Sequence, residues 1–148
     1  MPETKRNFKI LCVYAHPADL CCEGSGTVAL QAERGDDITA LLLSDGERHH
    51  ADVLYRETAK PKQDRNPRII NATVDELRAF KRFEAERACE ILGISKLIAF
   101  GWPDVHWTLS IDNIVAIADV IFDVRPDVIL THIPKQNQIP TSDIHAVV

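Results

Sequence analysis

His16 and Asp19 share the short segment Ala15-His16-Pro17-Ala18-Asp19, which directly follows the apolar run 8–14. An imidazole nitrogen and a carboxylate oxygen are metal-ligating donors. A run of β-branched and aliphatic residues ending in such a segment puts both on the loop that leaves the C-terminal edge of a strand. In open parallel α/β sheets that edge is where ligands bind. A second pair, Asp143 and His145, follows the apolar run 128–130, which reads as a later parallel strand. Two loops with His and Asp at the same end of one sheet predict a metal site.

Those loops need a sheet to position them, and the apolar periodicity supplies one. Strands are predicted at 8–14, 38–43, 97–100 and 127–131, with helices at 25–33, 51–60 and 111–124. A longer helix opens at Thr73, a plausible N-cap with Glu76 at capping-box spacing, and runs to about Leu92, where Gly93 stops it. Leu77, Phe80, Ala88, Ile91 and Leu92 are expected on its buried face. Residues 61–71, with two prolines and many charges, read as an excursion or flexible loop. Strand–helix alternation of this kind predicts an α/β three-layer sandwich with a mostly parallel sheet in the order 3-2-1-4.

At 148 residues the chain is expected to be a single domain. A formal net charge of -5 and the lack of a basic stripe argue against a nucleic-acid partner. No apolar run approaches the roughly 18 residues of a membrane span, and the N-terminus leads into a strand, so a cytoplasmic location is expected. Cys12, Cys21, Cys22 and Cys89 lack C-x-x-C spacing, and Cys12 and Cys89 fall in apolar patterns that suit small core residues. The segment 143–148 resembles the opening turn of another helix, which leads to the expectation that the domain, 1–148, is incomplete at its C-terminus or completed by another chain. Homo-oligomer formation is the corresponding expectation for partners.

Several stretches, taken in order, resemble one family. Ala15-His16-Pro17-Ala18-Asp19 with Gly24-Ser25-Gly26-Thr27 is similar to the A-H-P-D-D-E…G-G-T opening of the PIG-L (LmbE-like) zinc-dependent N-deacetylases. Leu43-Ser44-Asp45-Gly46-Glu47 resembles its L-T-D-G-E turn, and Lys81-Arg82-Phe83-Glu84-Ala85 with Ile91-Leu92-Gly93-Ile94 its R-R-x-E-A…L-G-V helix. Gly101-Trp102-Pro103-Asp104 looks like its G-x-x-D loop, and 125–132 like its R-P-D-V-V-x-T-H strand, while the end of the chain is similar to its H-x-D-H zinc motif.

The resemblance implies a Rossmann-like fold and a zinc ion, or another divalent metal, held by His16, Asp19 and His145. Three N/O ligands with a fourth position open to water make a catalytic zinc layout. A water held there would have its pKa lowered to about 7, and the metal would polarise the amide carbonyl. Family substrates are typically N-acetyl groups on amino sugars or sugar conjugates, so a small sugar-like substrate is implied. Ala18 stands where the family has the aspartate taken as general base, Leu20 where an acidic residue follows, and Ser142 and Ile144 where the final motif has His and Asp. The implied function is a metal-dependent hydrolase acting on a carbon–nitrogen bond, with Asp143 as the replacement base. The alternative is an altered or inactive member that binds metal and a sugar-like ligand without turnover.

Each of these residues also has a plainer role. Asp19 could cap the following helix while His16 packs, and Asp143 could cap a terminal helix. Glu23 and Glu47 are weaker base candidates. His49 and His50 read as a solvated loop pair that could instead line the pocket or form a second metal contact. Arg82 lies on a charged, mostly solvated helix face from which it could reach a substrate. Trp102 and His106 follow the third strand, where a Trp ring could stack on a sugar or be part of the core. His132 ends the fourth strand and is expected to support the site by hydrogen bonding. Gly24-Ser25-Gly26 opens a helix but lacks the spacing of a phosphate-binding loop.

Overall fold

The computed structural model describes residues 6–132. Its four strands are β1 (Lys9–Tyr14), β2 (Asp37–Ser44), β3 (Lys96–Trp102) and β4 (Val128–Leu130). They form one sheet in the order β3-β2-β1-β4, and every pairing is parallel. The order and the parallel pairing are as the alternation of patterns predicts.

Alternate residues of β1 face opposite sides, as the period of two requires. Ile10, Cys12 and Tyr14 pack with Ile38, Ala40, Leu42, Ala85 and Cys89 on one face. Leu11, Val13 and Ala15 pack with Leu41, Leu43, Trp107 and Val120 on the other. Two of the longer helices, α2 (Ser25–Arg34) and α5 (Val74–Leu92), contribute to the first layer, and α6 (Ile111–Val124) contributes to the second. Because both faces are covered, β1 and β2 read as nearly continuous apolar runs.

The helix ends follow local chemistry. Thr73 accepts from the backbone N–H of Glu76 while Glu76 accepts from that of Thr73, completing the capping box that opens α5. Ser110 and Asn113 do the same for α6. The buried face of α5 differs from expectation. Leu77, Ala85 and Cys89 are buried, whereas Phe80 and Ile91 are exposed. Leu77, Ala85 and Cys89, spaced by eight and four residues, share one face of the helix, and Phe80 and Ile91 fall off it.

Segment 61–71 is more ordered than a flexible loop. Helix α3 (Asp52–Thr58) carries the buried Glu57, which accepts from Lys60 Nζ at 2.9 Å and from the backbone N–H of Asn66 at 2.6 Å. These bonds fold the chain through a 3-10 turn (Lys62–Asp64) into α4 (Pro67–Ile70). A carboxylate in the preceding helix thus organises the excursion, a long-range cue that local composition does not carry.

The first loop also differs. Immediately after β1 the chain enters a short helical turn, α1 (Pro17–Asp19), then a π-helical stretch (Leu20–Gly24), and continues into α2. His16 is at the N-cap of α1 and Pro17 at its first position, where the missing N–H costs nothing. Among the described residues no helix is long and apolar enough to cross a membrane.

Candidate metal centre

Four strand ends deliver the site. The loop after β1 brings His16 and Asp19, the loop after β2 brings Asp45 to His50, the loop after β3 brings Asp104, and β4 leads to His132. All lie at the C-terminal edge of the parallel sheet, the edge where such sheets bind ligands.

His16 is fully buried at the centre. Asp19 Oδ2 accepts from the His16 backbone N–H at 2.7 Å and lies 3.2 Å from His16 Nδ1. On the other side of the ring, His16 Nε2 is in direct contact with Asp104 Oδ1. The second oxygen of Asp104 accepts from the backbone N–H groups of Arg48 at 2.9 Å and His49 at 2.7 Å. Rings surround His16 as well, with His50 edge-on at 4.8 Å between centroids and His49 at 5.9 Å. His132 faces Asp19 Oδ2 at 3.5 Å and Glu23 Oε2 at 3.0 Å, and its Nε2 accepts from the Ala15 backbone N–H at 3.3 Å.

The charges respond to this packing. Burial opposes the imidazolium form of His16, but hydrogen bonds to Asp104 and Asp19 outweigh it and lift the group to about 9. Burial also opposes the charge of Asp104, yet the contact with His16 and the backbone donors hold its carboxyl well below the ordinary range. Hydrogen bonding to Asp19 raises His132, and burial together with the neighbouring His16 lowers His50.

Two sets of donors converge closely enough to hold a cation. Ligand atoms of His16, Asp19 and His50 lie within 4.8 Å of one another, as do those of His16, His49 and Asp104. Imidazole nitrogens combined with carboxylate oxygens suit zinc and neighbouring divalent metals. A carboxylate behind one nitrogen of a histidine, with the other nitrogen beside a second carboxylate, is the arrangement by which metal-binding histidines are oriented. The residues present therefore fit a divalent metal.

The loop after β2 is braced from α5. Arg82 donates from Nε to Asp45 Oδ1 at 2.7 Å, with Nη2 at 2.6 Å, and Arg78 Nη2 donates to Glu47 at 3.0 Å. Asp45 and Glu47 are both buried. Gly46, at φ 74°, lies between them against His16, whose Cβ would be 3.5 Å from any Cβ added there. Gly101 plays a similar part across β3. The β2–β3 register slips near Ser44 and Trp102, and a side chain at Gly101 (φ 67°) would crowd Asp45 and Arg82.

Among the residues expected at the site, His16 and Asp19 are in contact. Asp143 and His145 lie outside the described residues, as do Ser142 and Ile144. Arg82 has its guanidinium on Asp45. Trp102 stacks on Trp107 at 5.3 Å and 19° and leans on Phe100, within the apolar layer beneath α6. His106 is exposed, at φ 56° on the loop two residues beyond Asp104. His49 and His50 are drawn inward, in contrast to the solvated pair expected. Asp104 had no expected role, although its place at the end of the G-x-x-D-like loop after the third strand, on the ligand-binding edge, was the available signal.

Residues 11–147 match the PIG-L family, described as GlcNAc-PI de-N-acetylase. The chain belongs to the PIG-L family. Among its relatives, 4-oxalmesaconate hydratase of Pseudomonas putida is 34% identical over 122 residues, covering 82% of this chain and 42% of that protein. The 1D-myo-inositol 2-acetamido-2-deoxy-alpha-D-glucopyranoside deacetylase of Thermobispora bispora is 28% identical over 142 residues, covering 84% and 44%. Among solved structures, the 4-carboxy-2-hydroxymuconate hydratase of Pseudomonas putida superposes with a TM-score of 0.74 at 30% identity, covering 93% of this chain and 51% of that one. The chain thus spans less than half the length of these curated relatives. PIG-L relatives include both deacetylases and a hydratase.

Proposed function

We propose that this PIG-L chain carries the metal-binding edge of an enzyme that adds water to an electrophilic carbon of a small polar substrate. The observation that carries the reading is the convergence of His16 and Asp19 on one buried point at the ligand-binding edge of the sheet. His16, Asp19 and His145 would hold the metal, zinc or another divalent ion. When bound, it would lower the pKa of a water to about 7 and polarise a carbonyl oxygen. Asp143 is assigned as the base, and Arg82, Trp102 and His106 as the residues nearest to substrate contact.

Two reactions share this apparatus. Hydrolysis of the amide in an N-acetyl-sugar-like substrate needs a base for the attacking water and a proton for the departing amine. Hydration of a carbon–carbon double bond conjugated to a carbonyl needs no leaving-group proton. Water oxygen joins the β carbon, the electron pair moves toward the carbonyl, and a proton returns to the α carbon. The 34% identity to a hydratase favours hydration; Ala18, whose methyl group cannot take a proton, leaves the attacking water of either reaction to another base. General acid–base groups contribute about 10²–10⁴-fold to such reactions, so the replacement at 18 makes the base assigned to Asp143 necessary in either case.

The chain loaded with zinc should be offered N-acetyl sugars and, separately, unsaturated keto-carboxylates. Metal-dependent loss of the conjugated ultraviolet absorbance is the expected result. Acetate release from the sugars without that loss would return the assignment to deacetylation. Saturable binding of either class with no turnover would indicate a binding module. A cytoplasmic location and self-association belong to the same reading, and light scattering tests the latter.

A further inference from the structure

One buried carboxylate lies outside the ligand set His16, Asp19 and His145. Asp104 is 1% exposed, and desolvating a carboxylate costs several kcal/mol unless its oxygens are satisfied. Here the compensation comes from two loops at once. Oδ2 accepts from the backbone of Arg48 and His49 after β2, and Oδ1 touches His16 Nε2 after β1 and lies 3.1 Å from His49 Nδ1. A histidine can offer either ring nitrogen to a metal, and the partner of one nitrogen decides which is presented.

We propose that Asp104 is a positioning residue: it holds the Nε2 side of His16 and pins the backbone at 48–49, so that Nδ1 is presented beside Asp19 as a preformed ligand pair. Asp104 acts through His16 and is not itself a ligand. The inference rests on the metal-binding reading, but part of its test does not require metal.

Long-range proton–nitrogen NMR of the metal-free chain reads the His16 ring directly. A hydrogen-bonded, slowly exchanging Nε2–H is expected in the wild type and is expected to vanish in Asp104→Ala. In chelator competition, Asp104→Ala should bind zinc about 10–100-fold more weakly. Asp104→Asn keeps an acceptor oxygen without the charge and should shift the Nε2–H signal upfield with a smaller loss of affinity. It decides the question if the alanine variant fails to fold. An unchanged ring signal and unchanged affinity would overturn the proposal, as would loss of the Nε2–H on zinc loading of the wild type, which would put the metal on the Asp104 side. A wild type that takes up no zinc would contradict the proposed function, while the ring signal would still decide the positioning.

Discussion

Arg82 of α5 reaches across to Asp45 in the loop after β2, with Nη2 2.6 Å from a carboxylate that is itself buried. The contact joins the helix on one face of the sheet to the turn that packs against His16. Removing the guanidinium leaves that carboxylate buried without its partner, a loss of about 1–3 kcal/mol. Arg82→Ala should lower the urea midpoint accordingly. Arg82→Lys should recover only part, because an ammonium cannot reproduce both the Nε and the Nη2 contacts to Asp45 Oδ1. Equal stability of wild type and Arg82→Ala would show that the turn holds without its brace.

The turn after α5 gives a second expectation. Gly93 has φ 73°, and a Cβ there would lie 2.8 Å from that of Ala32 in α2. Strain and overlap act together, so Gly93→Ala should cost about 2 kcal/mol. Thermal unfolding measures it, and an unaltered midpoint would mean that α2 and α5 can separate freely.

Glu57 predicts a pH dependence. The hydrogen bond from Lys60, then that from the Asn66 backbone, lowers its pKa in the folded chain. A depressed carboxyl contributes stability above its unfolded pKa of about 4.3, and the contribution disappears as pH falls below that value. Glu57→Gln should therefore be less stable than wild type at pH 7, with the difference shrinking on acidification. A difference that stays constant down to pH 3 would contradict the assignment.

Thiol chemistry separates the four cysteines. Burial raises Cys12 and Cys89 to about 11, and both lie in the core, whereas Cys21 and Cys22 are exposed on the π-helical stretch. An alkylating reagent should modify only Cys21 and Cys22 in the native chain and all four after denaturation. Peptide mapping reads the outcome, and rapid native labelling of Cys12 would place β1 outside the core.

The sheet order was legible because β1 and β2 are apolar on both faces and the intervening helices carry clear stop and start signals. His16 and Asp19 were legible for the same reason, being local to the end of one strand. Asp104 was not, because its partners come from residues 16, 48 and 49, and only the folded loops bring those together. The inward turn of His49 and His50 was equally hidden, since it depends on Asp104 accepting from the backbone at 48 and 49. The order in 61–71 was not legible, because nothing in the local sequence marks Glu57 as the buried acceptor that organises it. Exposure of Phe80 and Ile91 marks the limit of periodicity, which gives a helix face only to within about one residue's rotation.

Elemental analysis of the purified chain and of its His16→Ala and Asp19→Ala variants tests the central claim most directly. The account predicts one divalent ion per wild-type chain after equilibration with zinc and removal of excess, and loss of that ion in both variants while their folds, read by circular dichroism, persist. The same metal content in the wild type and in both folded variants would contradict it.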